Sequence, residues 1–134
     1  MVITLPKLLT TLALSLTLAL ASCAPGIAPP APAGTVDHIV LIWLKRPGNE
    51  QDRKALRDAA DQLRSIPGIV FLDHGTPLSS DHPIVDDSFD VAYVMRFTSK
   101  EALQTYDPHP DHLKQVENVI RPLSKKVVVY DVVR

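Results

Sequence analysis

The chain has 134 residues, 14 basic and 15 acidic side chains, one cysteine and a formal net charge of −1. The charges are scattered without a basic block, which argues against a nucleic-acid partner. The length allows one small domain with a modest core.

Residues 1–22 read as a secretory signal. Lys7 supplies the positive start, and 8–20 (LLTTLALSLTLAL) runs thirteen residues without a charge before small residues suited to cleavage. A spanning helix needs about 20 apolar residues, so this run is short for one. The tetrapeptide Leu20-Ala21-Ser22-Cys23 (LASC) resembles the lipobox of bacterial lipoproteins. That resemblance implies cleavage before Cys23, a diacylglyceryl group on its sulfur and acylation of the new amine. The alternative is an ordinary signal with an incidental free thiol, which is awkward in an oxidising compartment. Each buried CH₂ adds about 0.8 kcal/mol, so two or three chains make a firm membrane anchor. Ala24, rather than Asp, follows the cysteine, resembling lipoproteins sorted to the outer membrane. The expected location is therefore the cell envelope, lipid-anchored, facing the periplasm. Residues 23–34 then form the lipidated cysteine and a linker. Four prolines among the eleven residues of 24–34 (APGIAPPAPAG) make it extended and semi-rigid.

The domain occupies 35–134. Without Lys7, it and the linker carry 13 basic against 15 acidic residues. Val36–Leu44 (VDHIVLIWL) has the β-branched and large apolar content of a strand. Asn49 is placed to cap a helix in which Leu56, Ala59, Ala60 and Leu63 recur at helical spacing, and Ile66-Pro67-Gly68 closes it. Segments 69–76 (IVFLDHGT) and 89–97 (FDVAYVMRF) predict the second and third strands. Thr98-Ser99-Lys100-Glu101 has capping-box spacing and starts a helix carrying Ala102, Leu103 and Tyr106 inward. A further helical piece places Leu113, Val116 and Ile120 on one side. Pro122 ends it, and 126–133 (KVVVYDVV) is the last strand. The fold class is α+β, a ferredoxin-like β-α-β-β-α-β protomer.

The strands are apolar on both faces. In the first, Ile39, Leu41 and Trp43 oppose Val40, Ile42 and Leu44; in the last, Val127 and Val129 oppose Val128 and Val132. The helices suffice for one face only, and soluble monomers rarely leave such a patch bare. The expectation is a homodimer, packed through the sheet face as a dimeric α+β barrel.

VDHIVLIWLK, the PGI before the second strand, FDVAYVMRFTSKEALQTY and the HPDH that follows together resemble the stress-responsive A/B barrel (Dabb) family across 36–134. The resemblance implies a dimeric barrel. One plant member is a polyketide cyclase that runs an intramolecular aldol condensation without metal or organic cofactor. Its tyrosine and histidine lie in a Y-x-x-H-P-x-H motif, which matches Tyr106 and His112 here, and its first-strand histidine matches His38. A further pocket histidine, at the start of the third strand, is replaced by Val91.

Tyr106 and His112 belong to the stretch YDPHPDH. In an unbroken helix six residues apart would point about 120° apart. Pro108 disfavours a helical Asp107 and breaks the helix, so His112 can be re-aimed to the cavity that Tyr106 faces. Asp107 or His109 is then placed to cap the second piece, with Pro110 in its first turn. Chemically, His112 suits a general base on a proton next to a carbonyl, Tyr106 a donor to the oxyanion, and His38 an orienting group. The same three residues also suit structural roles, as a core tyrosine and two histidines bonded to backbone. His109 and His112 with Asp107 and Asp111 offer metal-ligand atoms, but the intervening proline and the lack of a cysteine partner argue against a site. His74 and His82 fall on segments whose proximity the sequence leaves open. No metal and no cofactor are expected. The function read here is binding of a small, mostly apolar or aromatic molecule. The alternatives are a cofactor-free lyase, cyclase or isomerase, or a structural envelope module.

Overall fold

The structure is a computed structural model that describes residues 29–134. The signal at 1–22, Cys23 and the first half of the linker lie outside the described residues. The elements are β1 (Val36–Leu44), α1 (Glu50–Leu63), β2 (Ile69–Gly75), β3 (Val91–Phe97), α2 (Lys100–Tyr106), α3 (Pro110–Gln115), a π-helical turn (Val116–Ile120), α4 (Arg121–Leu123) and β4 (Ser124–Val133). The four strands form one antiparallel sheet in the order β2-β3-β1-β4. This is the expected ferredoxin-like arrangement.

Register sorts the side chains. Val40 lies opposite Tyr93 on one side and Val129 on the other. Side chains directly opposed share a face, so Val36, His38, Val40, Ile42 and Leu44 point the same way as Tyr93, Met95, Phe97, Val127, Val129 and Asp131. On that face Leu56, Ala60 and Leu63 of α1, Leu103 and Tyr106 of α2, and Ile120 complete the buried core. The opposite face carries Asp37, Ile39, Leu41, Trp43, Ala92, Val94, Arg96, Val128, Tyr130 and Val132. None of these joins the helix-covered core, and Val94, Tyr130 and Val132 are exposed.

The open face is polar at its ends. Asp37 is buried between Arg96, whose Nε donates at 2.6 Å, and Arg134. The Arg96 guanidinium, and Arg134 beyond the cost of burial, hold the Asp37 carboxyl below its ordinary value. At the other end Lys126 Nζ sits 4.2 Å above the Trp43 ring.

Several boundaries differ from the sequence expectation, each for a local reason. β3 starts at Val91 rather than at 89 because the Asp90 carboxylate takes the N–H groups of Leu44 (2.9 Å) and Gly48 (2.7 Å) and closes the β1–α1 turn. Ser99, not Thr98, caps α2. The Thr98 N–H is still held by the Gly68 carbonyl at 2.9 Å, and the Ser99 hydroxyl accepts from the Ala102 N–H. Asn49 caps α1 as expected, accepting from the Asp52 N–H at 3.0 Å. Pro122 does not end the helical region. It sits near the start of α4, where its missing N–H costs nothing, and β4 begins two residues earlier than expected, at Ser124. Leu113 is exposed, whereas Ile120 is buried. The π turn between them advances less per residue than an α-helix, so their shared face is lost.

Gly68 links α1 to β2 at φ +93°, and a Cβ there would stand 2.7 Å from Ala102 Cβ. Gly48 is also left-handed, at φ +72°, but a Cβ there meets nothing within 4 Å. In urea titrations Gly48→Ala should cost about 1–2 kcal/mol, the backbone penalty alone. Gly68→Ala should cost about 1–3 kcal/mol more, because α2 must also move.

Candidate functional site

The helix break falls one step later than the sequence suggests. Asp107 keeps helical dihedrals, φ −53° and ψ −49°, with its N–H on the Leu103 carbonyl at 3.2 Å. The backbone turns extended at His109, φ −62° and ψ 134°, and Pro110 opens α3. His109 Nδ1 accepts from the Asp111 N–H at 3.2 Å, so this histidine is the cap of α3. His112 Nδ1 lies 2.9 Å from the Asp107 carbonyl. A carbonyl can only accept, so Nδ1 carries the hydrogen and the lone pair is at Nε2. The junction thereby lays the His112 ring against Tyr106, with centroids 4.2 Å apart and planes inclined by 31°.

Tyr106 is packed from its other sides by Phe97 at 5.0 Å and His38 at 6.0 Å between centroids. His38 is buried, and its Nδ1 lies 2.6 Å from the Asp131 carboxylate directly opposite on β4. A cavity of about 340 Å³ joins the three sequence-predicted residues His38, Tyr106 and His112. Its wall is apolar: Val40, Met95, Val116 and Ile120, with Val127 and Val129 of β4 on the open side. Arg121 and Ser124 also reach it, but Arg121 is paired with Glu117 at 2.7 Å, and the Ser124 hydroxyl donates to the Ile120 carbonyl.

The two buried tyrosines on this cavity differ in one respect. The Tyr93 hydroxyl donates to the Leu56 carbonyl at 2.6 Å. The Tyr106 hydroxyl has no protein partner among the described residues. Nor is it among the described side-chain atoms that are both sealed and unpartnered, which are Arg53 Nε and His74 Nδ1. It is therefore free to meet a ligand. Burial pushes both hydroxyls above the ordinary tyrosine value, with smaller contributions from Tyr106 on Tyr93 and from Asp107 on Tyr106. Tyr106 is accordingly a neutral hydrogen-bond donor across the physiological range.

The remaining candidates lie elsewhere. Val91 is buried in the core and does not reach the cavity. His74 faces Asp61 at 3.3 Å, and His82 is on the connection before β3. Among the described residues no group of three His, Cys, Asp or Glu side chains converges as a metal site. Sequence reasoning missed Asp131. The only signal for it was a charge interrupting VVVYDVV, and the β1–β4 register was needed to read it.

Residues 36–134 match the model of the family described as Stress responsive A/B Barrel Domain, or Dabb. The chain belongs to this family. A Dabb protein of ferredoxin-like fold from Mesorhizobium loti is 27% identical, with a TM-score of 0.62 over 75% of this chain and 97% of that one. Hydroxynitrile lyase from Passiflora edulis is 23% identical, TM-score 0.66, over 77% and 95% of the two chains. A dimeric ferredoxin-like protein from Thermobifida fusca is 19% identical, TM-score 0.61, over 76% and 92%. At these identities the last two share the Dabb fold with this chain. No curated protein matches it.

The two hydroxyls make separable predictions for this Dabb domain. Tyr93→Phe removes a buried hydrogen bond to the Leu56 carbonyl, which keeps its helical partner, and should cost about 0.5–1.5 kcal/mol in denaturant titrations. Tyr106→Phe should stay within about 0.5 kcal/mol of the parent, since its hydroxyl bonds nothing among the described residues.

Proposed function

We propose that this Dabb protein is a homodimer that binds a small, mostly apolar molecule in the cavity of each protomer. The Tyr106 hydroxyl carries the reading: a neutral donor without a partner among the described residues, set in a largely apolar cavity of about 340 Å³. A carbonyl or hydroxyl oxygen on the bound molecule completes it. The bare sheet face supports the homodimer, as do the dimeric ferredoxin-like proteins that share the fold. The LASC sequence supports attachment of the chain to the cell envelope through lipid on Cys23, at the outer membrane facing the periplasm.

A second reading, favoured by the fixed tautomer of His112, makes the cavity the site of a cofactor-free lyase, cyclase or isomerase. His112 Nε2 takes a proton next to a carbonyl, the electron pair moves to the carbonyl oxygen, and Tyr106 donates to the oxyanion. That a protein of the same fold from Passiflora edulis is a hydroxynitrile lyase supports this reading at the level of the scaffold. A structural envelope module is the reading left if the cavity holds nothing.

Native mass spectrometry of protein purified from its own host tests the binding and assembly claims together. The expected species is a dimer retaining a small molecule, and Leu41→Glu on the open face should give a monomer. A well-folded parent monomer at micromolar concentration sinks the dimer, and an empty cavity sinks the ligand. Where the retained molecule is a substrate, His112→Ala should slow its conversion by about 10²–10⁴-fold with little change in affinity. Metabolic labelling with palmitate should mark the parent chain and be lost in Cys23→Ser; a labelled Cys23→Ser protein overturns the anchor.

A further inference from the structure

We infer that Asp131 is a positioning residue of the cavity, holding His38 with its Nδ1 protonated and its Nε2 lone pair open to a ligand. The inference rests on the acid–base reading above and assigns that site a second proton-transfer group.

The geometry begins with register. His38 on β1 and Asp131 on β4 are direct cross-strand partners on the helix-covered face, so the carboxylate reaches the ring without bending either strand. Oδ1 lies 2.6 Å from Nδ1. The ring is 90% buried and packed edge-on against Phe97 and Tyr106, which removes its freedom to flip. The Asp131 side chain is 49% exposed, so water solvates the carboxylate on one side while the ring meets it on the other. Among the described residues Nε2 has no hydrogen-bond partner and is not a sealed atom.

Two imidazoles thus flank Tyr106, each with Nδ1 committed. They differ in what stands behind them. His112 is backed by an uncharged carbonyl and His38 by a carboxylate. When Nε2 of either ring takes a proton from a substrate O–H or C–H, the electron pair stays on the substrate and an imidazolium forms. Only at His38 does that cation meet a counter-charge directly hydrogen-bonded to it, the arrangement that makes a carboxylate-backed histidine an effective base. Arg121, the cavity's fixed cation, is already occupied by Glu117.

The test needs no substrate. Nitrogen-15 NMR of the neutral imidazoles should show His38 as the Nδ1–H tautomer. Asp131→Val, a substitution suited to a strand, should shift His38 alone to the Nε2–H form, and Asp131→Glu should restore the parent pattern. Asp131→Asn keeps an acceptor but removes the charge. It should slow acylation of His38 by diethyl pyrocarbonate severalfold relative to His112, with the unfolding midpoint unchanged. A parent His38 in the Nε2–H form, an unmoved tautomer in Asp131→Val, or unaltered acylation in Asp131→Asn overturns the assignment. An empty cavity with the Nδ1–H tautomer present instead overturns the binding and catalytic readings and leaves the positioning of His38 standing.

Discussion

β1 is apolar on both of its faces, and the described residues supply helices for only one. Val36, Val40, Ile42 and Leu44 are buried beneath α1 and α2, whereas Ile39 and Leu41 look out from the other side of the same strand. A sheet that faces water on one side normally alternates apolar with polar residues. This one does not, so its bare face selects for a surface of the same kind. The ionic cluster of Asp37, Arg96 and Arg134 lies at one end of that face and Lys126 over Trp43 at the other. Charges at the margins of an apolar patch fix orientation more than they add affinity.

The cavity follows from the same strand. β1 delivers His38 to the helix side, β4 delivers Asp131 beside it, and the proline-broken junction between α2 and α3 brings His112 against Tyr106. None of the three histidines here is oriented by packing alone. His112 is fixed by a backbone carbonyl and His38 by a carboxylate, while His109 is consumed in capping α3. Of the three histidines nearest the break in YDPHPDH and on β1, two are therefore aimed at the cavity and one holds the backbone that aims them.

Much of this was legible in the sequence, and the failures have physical causes. Strand identity followed from β-branched and apolar content, and the two-faced character of β1 and β4 from the alternate direction of successive side chains, which the register bears out. The meeting of Tyr106 and His112 followed from the two prolines. The break was misplaced at Asp107 because a residue before proline is only disfavoured from helix, and a hydrogen bond to the Leu103 carbonyl was enough to keep it there. Leu113 was misplaced because a constant angle per residue was assumed across a π turn. Asp131 could not be found at all. Cross-strand neighbours 93 positions apart leave no trace in local spacing. Residues that act through another residue are the ones such a reading loses first.

β4 has a further consequence. It is an edge strand of ten residues, and an edge offers its unpaired backbone as a template for any extended chain. Lys125 and Lys126 guard one end and Asp131 and Arg134 the other, which leaves valines 127, 128 and 129 unguarded between them. Two of those valines are also the half-bare wall of the cavity. The strand most prone to recruit a foreign partner is thus the one a ligand would shield, so occupancy of the cavity and resistance to aggregation should rise and fall together.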